Sequence, residues 1–109
     1  MWMTKAEVNA GVCGFTTVIS ANADSSDPFL IHLSIDSDCE AVRGLAAELR
    51  QVSALDEITY RGDGPAALRC ARRCLHHAAC PVPCAVIKVV EVEAGLALPC
   101  DVSIHLARA

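Results

Sequence analysis

Phe29, Ile31, Leu33 and Ile35 alternate with Leu30, His32 and Ser34. A period of two with one apolar side predicts a strand with one buried face. Upstream, Val8, Ala10 and Val12 alternate more loosely, Gly14 interrupts, and Phe15, Thr17 and Ile19 resume the pattern. Residues 6–20 therefore read as one long strand with a bulge at Gly14, because glycine inside a strand pattern marks a bulge or a close backbone approach. The polar run Asp24-Ser25-Ser26-Asp27-Pro28 is a turn, so the two strands are expected to pair as a hairpin. Near the other end, Val102, Ile104 and Leu106 alternate with Ser103, His105 and Ala107 and predict a further strand.

Between these lie segments with helical spacing. Ser37 and Glu40 stand at capping-box distance, so a helix is expected to open across Ser37-Asp38-Cys39-Glu40. Val42, Leu45, Ala46, Leu49 and Val52 form its apolar stripe. Gly62-Asp63-Gly64-Pro65 predicts a turn into a second helix with Pro65 near its first position. Ala67, Cys70, Ala71, Cys74 and Leu75 share one face of it, and Arg69, Arg72 and Arg73 lie opposite. A third helix is expected from Cys80-Pro81, with Val82, Ala85, Val86, Val89 and Val90 inward and Gly95 at its end.

Strands with one buried face and helices with one apolar stripe require two layers. The expected fold is an α+β two-layer sandwich in the order β-β-α-α-α-β, with a three-stranded, mostly antiparallel sheet covered by helices. An extra short strand is allowed near residues 56–60. The outer sheet face would carry His32, Ser34, Ser103 and His105, either exposed or as a homodimer contact.

The chain has 109 residues, which fits a single domain over 1–109. Its net charge of −4 argues against nucleic acid as a partner, which wants clustered cations. The cluster Arg69, Arg72 and Arg73 reads as a solvated helix face. Lys88, Glu91 and Glu93 interrupt the best apolar run, so no membrane span is expected. The first twenty residues lack a basic stretch followed by an apolar block, so the expected compartment is the cytoplasm. There the seven cysteines would not form a disulfide framework.

Those cysteines carry the candidate chemistry. Cys39 and Cys80 fall at expected helix starts, where the helix dipole favours a thiolate. Cys13 adjoins Gly14, and Cys74 lies six residues before Cys80 across a tight turn. In a sandwich of this order the four can converge, and four thiolates suit Zn²⁺ or an iron–sulfur cluster. His76 and His77 are alternative ligands, or donors to the sulfurs from outside the ligand set. The local spacings are weak signals, since Cys74-x5-Cys80 is neither a zinc-ribbon knuckle nor a ferredoxin run. Cys70, Cys84 and Cys100 read as small buried hydrophobes. The histidine pair also has a plain reading as cations complementing a helix C-terminus.

The chain resembles a family of small, uncharacterised prokaryotic proteins, a domain of unknown function. The resemblance spans nearly the whole chain. It rests on Cys13-Gly14-Phe15, Ser37-Asp38-Cys39, the run from Cys74 through His77 to Cys80-Pro81-Val82-Pro83, and Gly95-Leu96-Ala97-Leu98-Pro99 followed by Asp101-Val102. The resemblance implies that Cys13, Cys39, Cys74 and Cys80 belong together as a set. It implies no activity.

Three functional readings follow. The leading one is a metal-binding module holding zinc or an iron–sulfur cluster through the four cysteines. The second is a thiol enzyme or redox protein with Cys80 or Cys39 as nucleophile and His76 or His77 as base. The third is a structural or partner-binding domain with inert core cysteines. No acid/base pair, phosphate loop or hydrolase motif stands out, and the catalytic residues are unknown.

Overall fold

Gly11 and Gly14 adopt φ of +84° and +73°, a region open to glycine at little cost. Between them the chain reverses: the Gly14 N–H bonds the Gly11 carbonyl at 2.9 Å and the Ala10 N–H bonds the Phe15 carbonyl at 3.1 Å. The expected single strand with a bulge is therefore a hairpin, β1 (Thr4–Asn9) and β2 (Thr16–Ala23). Two left-handed residues three apart turn the chain back, where one would only have kinked it. The structure is a computed structural model that describes residues 3–109.

β3 (Leu30–Ser37) follows the polar turn as expected, then α1 (Glu40–Glu48). The helix is shorter than its stripe suggested. Leu49 ends it, and Val52 lies in a fourth strand, β4 (Gln51–Ser53). The extra strand thus falls at 51–53 and not at 56–60. α2 (Ala54–Glu57) is a single turn, α3 (Ala66–Cys74) starts behind Pro65, and α4 (Val82–Glu93) starts behind Pro81. The order is β-β-β-α-β-α-α-α, and the sheet runs β1-β2-β3-β4 with every pair antiparallel.

The expected final strand is not part of this sheet. Residues after Gly95 form no strand or helix, and Val102, Ile104 and Leu106 are 64%, 78% and 92% exposed. Ser103 and His105 consequently do not lie on the sheet's outer face. That face carries Lys5, Glu7, Val18, Ser34, His32 and Asp36, all exposed.

The inner face holds Val8, Thr17, Ile19, Ala21, Ile31 and Leu33. Pairing aligns Ala6 with Ile19 and Ile19 with Ile35, so one apolar row crosses three strands. α4 lies across β1 and β2, α1 lies on β3, and α3 packs against α1 and α4. α4 contributes Val82, Val86, Val89 and Val90, all buried. Each such side chain is worth about 1.5–3 kcal/mol of burial, which is how a chain with 4% aromatic residues builds a core.

α4 ends in a Schellman motif. Gly95 has φ +77°, its N–H bonds the Val92 carbonyl at 3.0 Å, and the Leu96 N–H bonds the Glu91 carbonyl at 2.9 Å. Glu93 ties this end to the sheet: its carboxylate accepts the Thr4 hydroxyl and the Ala23 N–H, each at 2.8 Å.

Candidate functional site

Ser37 ends β3, and the expected capping box does not form. Its hydroxyl oxygen accepts the Thr17 hydroxyl at 2.8 Å and the Cys39 N–H at 3.1 Å, and Cys39 occupies the cap position of α1 without a side-chain bond. The Thr17–Ser37 bond binds two strands at the sheet end where Cys39 opens α1. The β1–β2 turn with Cys13 lies at the same end. Glu93 anchors the last turn of α4 at the opposite end, and Cys80 lies two residues before the first turn of that helix. Cys13 is exposed, while Cys39 and Cys80 are half-buried.

Cys74 is elsewhere. Its thiol donates to the Glu48 carboxylate at 3.0 Å. Glu48 closes α1, nine residues beyond Cys39, or about 13 Å along the helix axis. Four sulfurs around one metal ion must lie about 3.5–4 Å apart. Among the described residues, no three His, Cys, Asp or Glu side chains stand together in a way that could hold a metal ion. Cys13 and Cys39 lie at one end of the sheet, no three of the ligand-type side chains described are gathered into a set with Cys80, and Cys74 is held against Glu48.

Cys74 belongs to a small polar cluster between α1 and α3. Arg73 reaches Glu48 at 3.4 Å and the Cys70 sulfur at 3.4 Å. The bond from Cys74 holds the Glu48 carboxyl below its ordinary range, and the Arg73 charge adds to this. The same bond pushes the Cys74 thiol up, with burial and the Glu48 charge acting in the same direction. A thiol so placed is mostly protonated near neutral pH and is a weak nucleophile.

The other chemistry-bearing residues stay apart. His76 and His77 are exposed on the α3–α4 connection, and among the described residues no hydrogen bond joins them to the thiol of Cys39 or Cys80. Cys70 is buried as expected, but Cys84 and Cys100 are exposed. Cys84 faces out from α4 because Val82, Val86, Val89 and Val90 take the inward positions. Cys100 lies on the unpaired segment after α4.

Two polar features were not visible along the chain. Asp24 accepts the Ser26 hydroxyl at 2.6 Å, the Ser26 N–H at 3.0 Å and His32 Nε2 at 2.9 Å. These bonds, the Ser26 hydroxyl first, hold its carboxyl well below the usual carboxylate range. Serine and histidine both bond the carboxylate here, so the imidazole is not placed to take the serine proton, and the group staples the β2–β3 turn. The second feature is Glu57, which is 1% exposed and accepts two backbone N–H groups at the start of α3. A surface groove of about 280 Å³ lies between the α2–α3 connection and α4, lined by Ile58, Tyr60, Leu68 and Ile87.

The family of unknown function DUF6951 matches residues 4–106, which takes in the whole sheet, all four helices and most of the segment after them. The chain belongs to that family. No curated protein and no solved structure matches it. DUF6951 membership brings no reaction or ligand with it. No helix among the described residues is long and apolar enough to cross a membrane.

Proposed function

We propose that this DUF6951 domain acts by binding another polypeptide, with its half-buried cysteines serving as packing residues. What supports this is the segment after α4. It keeps strand alternation through Val102, Ile104 and Leu106, yet these side chains are 64–92% exposed. Alternating aliphatics on an exposed extended segment are a ready strand for another sheet. The cysteines argue the same way, because Cys74 is engaged by Glu48 and neither helix-start thiol has a histidine base. The family match runs to residue 106, so the alternating segment lies within the family's extent.

A photocrosslinking amino acid at position 104, introduced into the full chain and irradiated in cells that make it, is expected to trap a polypeptide. No trapped species, with the amides of 102–106 exchanging at the free-chain rate in the same cells' extract, would refute the reading.

A further inference from the structure

We infer that the polypeptide bound by the segment is a second copy of this chain, exchanged as an added strand on the free edge of β1. This rests on the partner-binding reading and names the partner. β1 is the outer strand of the sheet, and its six residues have no strand on their far side among the described residues. An edge of this kind presents a row of unpaired N–H and C=O groups; Thr4–Asn9 contains no proline or bulge, and its charged guards, Lys5 and Glu7, point to the outer face.

The two elements match in length and alternation. β1 sends Thr4, Ala6 and Val8 inward and Lys5, Glu7 and Asn9 outward. Residues 102–107 offer Val102, Ile104 and Leu106 on one side and Ser103, His105 and Ala107 on the other. The inner row of β1 is small, and Thr4 and Ala6 stay half-buried beneath α4. A strand added there with its aliphatic row inward would extend the core at the flank of β1, and its serine and histidine would join the polar face.

Position argues for exchange between copies. Glu93, at the last turn of α4, is bonded to Thr4, so the segment leaves the body beside the β1 edge. Two copies related by a two-fold axis along that edge need only the six residues 96–101, about 20 Å when extended, to pass each segment to the other body. The arrangement satisfies both unpaired edges and both unpaired segments and closes on itself. Any other protein on the segment would leave the β1 edge open. The chain measures 48 Å along its longest axis against 28 and 27 Å along the others, and the segment stays exposed.

Sedimentation of the full chain over a range of concentrations, with hydrogen exchange on the same samples, tests this. The mass is expected to double. Amides of 102–106 and of β1 are expected to slow together, roughly tenfold or more, as the dimer forms. Ile104→Asp, on an exposed side chain, is expected to give a folded monomer in which both protections are lost. Glu7→Pro, at a β1 residue whose N–H points away from β2, blocks the edge, and if it fails to fold, the Ile104→Asp result still decides. A dimer that survives Ile104→Asp would place the contact on another surface, such as the outer sheet face, and overturn the inference. So would a monomer at all concentrations, whether its segment amides are free or protected by its own sheet. A monomer whose position-104 crosslinker still traps a different protein would sink the inference and leave the partner-binding reading standing.

Discussion

The carboxylate of Glu57 accepts the backbone N–H of Ala66 at 2.8 Å, and its second oxygen accepts that of Ala67 at the same distance. α3 has Pro65 at its cap position, with no side chain able to cap it, so the first turn is satisfied from α2. The negative charge also sits where the helix dipole is positive, which lets a carboxylate remain buried.

Glu57→Ala is therefore expected to lower stability by about 2–4 kcal/mol, because one buried and one part-buried donor lose their acceptor. Glu57→Gln keeps one acceptor oxygen and is expected to recover part of this. Urea denaturation of the three proteins measures it. A loss below about 1 kcal/mol for the alanine variant would mean that water replaces the carboxylate.

The Cys74–Glu48 bond predicts an ordering of thiol reactivities. Cys74 is expected to alkylate more slowly than exposed Cys84 at about pH 8, and Glu48→Gln is expected to speed it. The thiol's folded pKa is raised, so the stability it contributes is full below the ordinary thiol pKa and is lost as pH rises through the folded value. Site-resolved alkylation by mass spectrometry checks this. Equal rates for the two cysteines in the parent protein would contradict the hydrogen bond.

Asp24 predicts an effect at the acid end. Its folded pKa is depressed, so its contribution is present above the ordinary aspartate pKa and is lost as pH falls through the lower folded value. Asp24→Asn is expected to flatten the decline of Tm below about pH 4. The effect will be small, because the His32–Asp24 pair is partly exposed. Parallel Tm curves for the two proteins would show that the turn is not held by this carboxylate.

Metal content tests the spread of the cysteines. Protein purified without oxygen is expected to carry less than one zinc or iron per chain and to keep its Tm in chelator. Cys80→Ser is expected to cost roughly 1 kcal/mol, as a packing change would. Stoichiometric metal, lost together with the fold, would restore the four-cysteine site, since binding energy at such a site is folding energy.

Local pattern determined a good part of this protein. The alternation at 29–35 made β3, the spacing of Val42, Leu45 and Leu49 made α1, and the valine stripe made α4. Pro65, Pro81 and Gly95 marked helix ends correctly because each acts through its own backbone. Pairing was a different matter, because it depends on which distant segments meet. Gly14 ended a strand only in company with Gly11, and Val52 left its helical stripe to pair with Ile31. The alternation at 102–106 predicted a strand, but no strand forms there, because alternation alone supplies no neighbour to pair with. The four cysteines looked like one set along the chain, and only the fold puts Cys74 on Glu48 at the far end of α1. Periodicity reports which side of an element avoids water. Only the closure of the tertiary structure decides which elements, and which sulfurs, become neighbours.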